Sequence, residues 1–274
     1  MPQVRRPQAS WGQLKPADDA ALERALQEWE KRSSQVDTLE CTFTCWKYDI
    51  VVGKQSRDGS SLPTRVCKGI IRYAKPDKGQ YRITEEAVNP TEENLEFKEK
   101  EDEYWVCDGN AVYEFNHEKK QLIERRLPNE LKGKAISNSP LPFVFGTTAA
   151  KMRERYWMRL KTPAKLAGVE TWLEIEPIYA EDRANYQTAT VVLQDKTMLP
   201  KAVSLKLPNG NFTNYMFDPP AVNNPLKKLL GHFQVPRLPS GWKRLVEDAP
   251  PPATRPAPPG DVQTLRVQPG IKRK

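Results

Sequence analysis

The sequence predicts an α+β fold in which an amphipathic helix precedes a large antiparallel sheet. Three observations predict it: a helical repeat of apolar residues over residues 17 to 34, an Asp-Gly turn between aromatic-rich strands within residues 103 to 128, and further short strands joined by polar turns after residue 170. Apolar spacing of three and four residues is typical of a helix, whereas short aromatic and β-branched runs between turn residues are typical of strands. At 274 residues the chain is long enough to bury one large core.

The first helix is predicted over residues 17 to 34. Charged residues fill most positions between its apolar residues, which recur at helical spacing: Ala21, Leu22, Ala25, Leu26 and Trp29. Pro16 stands where a helix can begin, because the N–H that proline lacks would have no partner there. After the helix, strands are predicted over residues 38 to 52, 64 to 74 and 80 to 84.

Asp108-Gly109 predicts a two-residue hairpin turn, because a tight turn of this kind needs a positive φ that glycine adopts without a Cβ clash. Counting outward from this turn pairs Trp105 with Val112, and the next pair, Tyr104 with Tyr113, lies on the opposite face. Both faces would then be apolar near the turn. That pattern suits a sheet that packs on one side and lines a cavity on the other.

The second half of the chain begins with a long loop and ends in a second set of strands. Residues 129 to 146 form the loop, which finishes in the apolar run PLPFVFG, and these aromatics are expected to lie under the sheet. A helix is predicted over residues 147 to 156, with Ala149, Met152 and Tyr156 on one face. The other predicted elements are strands over residues 121 to 127, 170 to 178, 187 to 193, 198 to 205 and 212 to 217, and a short closing helix over residues 224 to 232.

Charge and proline content separate one domain from two terminal segments. The formal net charge is +8, but three bases lie in residues 1 to 16 and five in residues 255 to 274, so the body is nearly neutral. The run PPPATRPAPPG is typical of a linker. We therefore predict a flexible segment over residues 1 to 16, a domain over residues 17 to 234, and a disordered, basic, proline-rich tail over residues 235 to 274. Nucleic-acid binding is not expected, since the body has no basic stripe.

The four cysteines are too few for a disulfide scaffold in a chain of this size. If residues 41 to 52 and 64 to 74 form a hairpin, Cys45 falls close to opposite Cys67, and a cross-strand disulfide becomes possible. Buried free thiols are the alternative, because cysteine is a common small apolar core residue. No C-x-x-C or paired histidine motif accompanies the cysteines, so no metal site is predicted.

Motifs of catalysis are missing from the sequence. It contains no G-x-S-x-G, no glycine-rich phosphate loop and no H-E-x-x-H. His117 and His232 are far apart in sequence and are expected to be surface imidazoles, while Asp108 is explained by its turn. We therefore expect no enzyme activity and no cofactor. No stretch reaches the roughly 18 apolar residues of a membrane span, and no secretory signal is visible.

Several motifs resemble the outer-membrane lipoprotein carrier (LolA) family. Residues 69 to 76, GIIRYAKP, are similar to the family's G-x-hydrophobic-x-hydrophobic-K-R-P strand end, and residues 108 to 116, DGNAVYEFN, are similar to its S-D-G-x-x-hydrophobic-W-x-Y-D/N hairpin. Residues 193 to 217 resemble its closing strands. The resemblance covers residues 20 to 220. The sequence is more similar still to a LolA-like domain family that is described chiefly from planctomycete bacteria and whose biochemical role is not established.

The resemblance implies a strongly bent, open antiparallel sheet, a half-barrel wrapped over helices, with an apolar cavity that holds acyl chains. Members carry lipoproteins or lipids across the periplasm, and relatives bind lipids or sense envelope stress. The expected function is non-catalytic binding of a lipid or acylated protein, in the periplasm or cell envelope if an export signal was removed and in the cytoplasm otherwise. The alternative is an interaction module whose loops and proline-rich tail dock another envelope protein.

Acyl chains need a dry, concave site, because each buried methylene contributes about 0.8 kcal/mol. Aromatic residues and methionine typically line such a site, and the candidates are Trp46, Tyr73, Tyr81, Trp105, Tyr113, Phe115, Phe143, Phe145, Met152, Trp157 and Trp172. The same residues could simply fill the core, and the sequence leaves both readings open.

Lys75 is the candidate for locking a lid over the cavity. In the carrier family an arginine before the proline of K-R-P helps to hold the lid, and Lys75 occupies that position here. Lysine is a point charge without the planar fork of arginine, so it cannot form a bidentate backbone lock.

Overall fold

The computed structural model describes residues 8 to 127, 148 to 224 and 229 to 248. Three helices are present there: α1 Pro16–Ser33, α2 Ala149–Arg155 and α3 Ala180–Arg183. The strands are β1 Thr38–Tyr48, β2 Arg65–Ala74, β3 Lys78–Ala87, β4 Phe97–Glu99, β5 Tyr104–Cys107, β6 Ala111–Asn116, β7 Gln121–Arg126, β8 Tyr156–Leu160, β9 Glu170–Pro177, β10 Thr188–Gln194, β11 Leu199–Lys206, β12 Phe212–Phe217, β13 Ala221–Val222 and β14 Lys243–Asp248. Short 3₁₀ turns lie at Ala164–Leu166 and Leu229–Phe233.

These strands form one open sheet in the order β14-β7-β6-β5-β3-β2-β1-β12-β11-β10-β9-β8, with β13 and β4 paired to β1 and β3. Strand β14 runs parallel to β7, and the other pairings described are antiparallel. β1 pairs with β2 on one side and with β12 on the other, so it joins the two predicted sets of strands. The predicted open, mainly antiparallel sheet with helices is confirmed.

The two faces of the central strands differ. The face that receives α1 is named the helix face, and β1 buries four residues on it: Leu39, Cys41, Phe43 and Cys45. The predicted first helix is confirmed, and it places Leu22, Leu26 and Trp29 in the same apolar cluster. Burial of an aliphatic side chain of this size contributes about 1.5–3 kcal/mol, so this row of contacts holds the helix on the sheet.

Phe43 lies near the centre of the helix face and is only 1% exposed. Its ring stacks on that of Tyr81 with centroids 5.2 Å apart and meets the rings of Tyr215 and Phe217 edge-on. The ring lies over Gly69 of β2, where an added Cβ would stand 2.4 Å from Phe43 Cζ and 2.4 Å from a backbone carbonyl oxygen of β3. The absence of a side chain at Gly69 therefore makes room for this aromatic cluster.

The hairpin at Asp108 forms, but its register differs from the prediction by two residues. Trp105 lies opposite Glu114 instead of Val112. The turn is centred one residue later, with Gly109 at φ +95°, because the Asp108 carboxylate accepts hydrogen bonds from the backbone N–H groups two and three residues ahead, at 2.8 and 2.9 Å. Since side chains alternate with a period of two, each keeps its predicted face.

Several predicted element boundaries were wrong. The strand predicted over residues 80 to 84 spans Lys78–Ala87. The first strand ends at Tyr48, four residues earlier than predicted, because the chain turns at Asp49. The helix predicted to residue 156 ends at Arg155, and Tyr156 begins β8, an edge strand that the analysis of the sequence did not predict. Tyr156 and Met158 are buried and alternate with half-buried Trp157. This alternation is typical of a strand, but five residues are too few to outweigh the helical spacing before them.

The segment from residue 229 to residue 242 crosses the face opposite the helices. Phe233 packs on Ala74, and the indole of Trp242 meets the rings of Phe115 and His117 at centroid distances of 5.8 and 5.1 Å. The helix predicted over residues 224 to 232 is therefore only a 3₁₀ turn within the described residues.

Strand β14 then pairs with β7, so residues 243 to 248 belong to the sheet and not to a disordered tail. Its short, charged sequence KRLVED carries little strand signal, and its position depends on contacts with β7. The proline-rich run PPPATRPAPPG lies outside the described residues.

Gly69→Ala is expected to lower the free energy of unfolding by about 2 kcal/mol or more, since the new methyl group would force the Phe43 ring and a β3 carbonyl to move. Urea unfolding followed by circular dichroism measures the change. Gly231→Ala is the matched control, because an added Cβ there would meet nothing within 4 Å. Equal stability of Gly69→Ala and the natural protein would contradict the close packing.

Removal of residues 235 to 274 is expected to lower the free energy of unfolding by about 2 kcal/mol or more, because it unpairs β7 and uncovers Phe115. Removal of residues 249 to 274 alone, the matched truncation, is expected to leave stability unchanged. Urea unfolding of both proteins tests the difference. Equal stability of the two truncated proteins would show that β14 contributes nothing.

Candidate functional site

The described ligand-site candidates lie on both faces of the sheet. Tyr73, Tyr81 and Met152 belong to the main apolar cluster on the helix face, with Trp105 packed against it. Tyr113 and Phe115 belong to a separate cluster on the opposite face. The half-buried Trp46, Trp157 and Trp172 lie outside both clusters, and Phe143 and Phe145 fall outside the described residues. The structure therefore does not bring the described candidates together in one cavity.

The aromatic residues on the helix face form a neutral, apolar layer. Tyr81 stacks on Phe43 and, with centroids 6.0 Å apart, on Trp105. Burial raises the pKa of Tyr73 to about 12 and the pKa of Tyr81 well above its ordinary value. Both phenols therefore stay protonated near neutral pH. Such a layer suits contact with apolar groups better than proton transfer.

Cys45 and Cys67 lie directly opposite each other in β1 and β2, which confirms their predicted proximity. Both are fully buried, and all four cysteines are free thiols, so the possible disulfide is not formed. The hydrogen bond with Cys45 and burial raise the pKa of Cys67 above its ordinary value. Burial raises the pKa of Cys41 to about 12 and that of Cys107 to about 11. Because the thiolate is the reactive form, Cys41, Cys67 and Cys107 are poor nucleophiles.

The native protein is expected to react slowly with Ellman's reagent at pH 8. Since the pKa values of Cys41 and Cys107 lie above pH 8, these thiols are neutral there and would ionise only as the pH rises through about 11 to 12. In guanidinium chloride all four thiols are expected to react within minutes. Fast reaction of the native protein would contradict the burial, and two reactive thiols instead of four after unfolding would reveal a disulfide.

Lys75 lies at the carboxyl end of α1. Its ammonium donates hydrogen bonds to the carbonyl oxygen of Ser34 and, at 3.0 Å, to Asp37 Oδ1. A cation at this end of a helix is favourable, because it faces the negative end of the helix dipole. Lys75 thus ties the turn between β2 and β3 to the helix. Its role in locking a lid stays a prediction.

A groove of about 650 Å³ follows the edge strand β8. Its apolar lining includes Trp11, Leu14, Tyr156, Trp157, Met158 and Ile178, and its polar lining includes Gln8, Gln13, Asp19, Arg153 and Glu154. Tyr156 and Met158 alternate with Trp157 along β8, so the groove runs around the edge of the sheet from one face to the other. Its volume lies within the roughly 300–1,000 Å³ that is typical of ligand sites.

Residues 8 to 15 form one wall of this groove. The Ser10 backbone N–H donates to a carboxylate of β9 at 2.8 Å, and the guanidinium of Arg159 lies 4.4 Å from the centroid of the Trp11 ring. Leu14 packs against the main apolar cluster. Residues 8 to 15, which were predicted to be flexible, therefore contact β8 and β9. Residues 1 to 7 lie outside the described part of the chain.

Helix α2 forms the opposite wall and is attached at both ends. At its start, the backbone N–H of Ala149 donates to Glu30 Oε2 of α1 at 2.9 Å. In its last turn, Arg153 pairs with Asp19 of α1, with Nη1 2.9 Å from Oδ1. At its end, Arg155 and Asp182 of α3 form a buried pair joined by hydrogen bonds of 2.6 and 3.2 Å. Removing one member of such a pair typically costs about 3–5 kcal/mol, because a charge is left buried without its partner. These contacts give the groove a defined shape.

The described residues show neither a metal centre nor a transmembrane helix. Within the described ranges, no three metal-ligating side chains converge. The helices of the same ranges are too short or too polar to cross a bilayer. The groove at β8 places an apolar lining beside the ion pair of Arg153 and Asp19.

No protein-family model matches the sequence, and no curated protein matches it. Among solved structures, an uncharacterized conserved protein of Thermus thermophilus is similar, at 9% identity over 83% of this chain and 99% of that chain, with a TM-score of 0.44. A LolA superfamily protein of Nitrosomonas europaea is 10% identical over 75% of this chain and 96% of that chain, with a TM-score of 0.32. A chain of the MucA/MucB complex of Pseudomonas aeruginosa is 14% identical over 77% of this chain and 61% of that chain, with a TM-score of 0.36. At these sequence identities and TM-scores, the similarity gives no information about a ligand or a partner of this chain.

Sequence reasoning found Trp157 but missed the rest of the groove. Trp11 and Leu14 were assigned to a flexible segment, and Tyr156 to a helix. An available signal was the aromatic, alternating sequence YWMRL ahead of Pro163, which is typical of a strand that ends before a proline. For Trp11 and Leu14 no local signal exists, because their positions depend on contacts with distant strands.

Proposed function

We propose that this chain is a non-catalytic, LolA-like protein of the cell envelope that binds a lipid or the acyl chain of a lipidated protein. In this proposal the sheet is a half-barrel bent around α1 and α2, and the groove along β8 is the entry to its apolar interior. The observation that carries the proposal is the apolar lining of that groove, which continues into the buried helix-face cluster at Tyr156 and Met158.

The chemistry of the groove suits a ligand with an apolar chain and a polar end. Aromatic and methionine side chains line its floor, where each methylene removed from water contributes about 0.8 kcal/mol. Arg153 lines the same groove together with Asp19, with which it pairs, and this ion pair offers both donors and acceptors to the polar end of a bound lipid. The neutral tyrosines and mostly poorly ionised thiols of the helix face agree with binding without catalysis.

Organic extraction of protein purified from its native host, followed by mass spectrometry, is expected to yield a stoichiometric lipid. In vitro, the delipidated protein is expected to bind the fluorescent fatty acid cis-parinaric acid. Trp157→Ala should raise the Kd about tenfold, because it removes a large apolar contact from the groove.

Trp46→Ala is the matched control for this measurement, since Trp46 is also half-buried but lies on β1 outside the groove. It is expected to leave the Kd unchanged. An empty extract together with no probe binding by folded protein would refute lipid binding. Equal effects of the two substitutions would refute the groove as the site.

A second candidate function is docking of another envelope protein, and β14 favours it. This strand ends the described sheet and leaves Leu245 44% and Val246 45% exposed. An edge strand can pair with a segment of a partner through its backbone. In this alternative the extract is empty, and removal of residues 235 to 274 abolishes capture of the partner.

A further inference from the structure

The turn that follows β1 presents three consecutive aliphatic side chains to solvent. Ile50, Val51 and Val52 are 60%, 84% and 72% exposed. Residues 49 to 53 are named the β1 tip. Single exposed apolar residues are ordinary on a protein surface, but a contiguous group is typical of a binding surface.

The backbone of the β1 tip is held by internal hydrogen bonds. Asp49 Oδ1 accepts from the N–H groups of Val51 at 2.8 Å and Val52 at 3.1 Å, and the Asp49 carbonyl oxygen accepts from the N–H of Gly53 at 2.9 Å. The N–H of Ile50 donates at 3.0 Å to the side-chain oxygen of Asn211, which lies in the turn between β11 and β12. Four successive N–H groups therefore have partners within the protein. A segment can enter a hydrocarbon environment only when its backbone donors are already satisfied.

The residues beside the tip are of the kinds found where proteins meet a membrane surface. At its base Tyr48 stacks on Phe212 of β12 with ring centroids 4.2 Å apart. Lys54 and Arg57 follow in the same loop and are exposed. Aromatic rings favour the interfacial region of a bilayer, and cations favour its anionic head groups.

We propose that the β1 tip inserts into the surface of a phospholipid bilayer and so attaches the protein reversibly to a membrane. The three exposed side chains of the tip are aliphatic, and they fit the disordered acyl boundary of a bilayer, because removing their methyl and methylene groups from water is favourable there without a shape-matched pocket. The tip does not line the groove at β8, so this proposal goes beyond the proposed ligand site and stands without it.

Sedimentation with sucrose-loaded vesicles of 70% phosphatidylcholine and 30% phosphatidylglycerol tests the proposal. The full chain is expected to sediment with the vesicles, and Val51→Glu/Val52→Glu to lower the partition coefficient at least about tenfold, because two apolar contacts are replaced by charges. Val169→Glu is the matched control, since Val169 is 59% exposed and its carbonyl oxygen bonds to the N–H of Asp195, at the other end of the sheet. It is expected to bind as the natural protein does.

A second measurement distinguishes insertion from simple charge attraction. The four native cysteines are at most 5% exposed, so an environment-sensitive fluorophore can be attached selectively to Val51→Cys or Val169→Cys. Vesicles are expected to shift the emission to the blue only for the label at position 51, including with phosphatidylcholine alone at higher lipid concentration.

Absence of vesicle binding by the natural protein, or equal binding of Val51→Glu/Val52→Glu, would overturn the proposal. An emission shift that is the same at both positions would also overturn it. Loss of vesicle binding with unchanged uptake of cis-parinaric acid would show that the tip and the groove act separately.

Discussion

The position of β1 between β2 and β12 is the constraint on which the rest of the structure depends. Its pairing with two strands that are far apart in sequence joins the two antiparallel sets into one sheet. Its buried row on the helix face also supplies Phe43, whose ring contacts Tyr81 on one side and Tyr215 and Phe217 on the other. Loss of this central packing would separate the strands that carry the proposed groove from those that carry the hairpin at Asp108.

Helix α1 connects the central packing of the sheet to the groove at β8. Its apolar residues sit on the helix face, Lys75 holds its carboxyl end, and Arg153 of α2 pairs with its first turns. The position of α2, one wall of the groove at β8, therefore depends on how α1 packs on the sheet. Burial raises the pKa of Tyr73 and of Cys41 to about 12, so these side chains add no charge to the helix-face cluster near neutral pH.

The proposed functions use different parts of one scaffold. The groove follows the edge strand β8, whereas the β1 tip extends beyond the centre of the sheet. A protein that holds an acyl chain at one place and touches a bilayer at another could take up its ligand close to the membrane that supplies it. The backbone N–H groups of the β1 tip are already hydrogen-bonded, so little ordering of the tip is required on binding.

The sequence by itself determined most elements and their faces, because helical spacing, alternation and turn residues act over a few neighbouring positions. The helix with Leu22 and Leu26, the opposition of Cys45 and Cys67, and the hairpin at Asp108 follow from such local patterns. Only the tertiary structure decided the strand at residues 243 to 248 and the placement of Trp11 and Leu14 beside β8. The positions of these two segments depend on hydrogen bonds and packing between residues distant in sequence. A local sequence pattern does not specify which distant strand a short segment will contact.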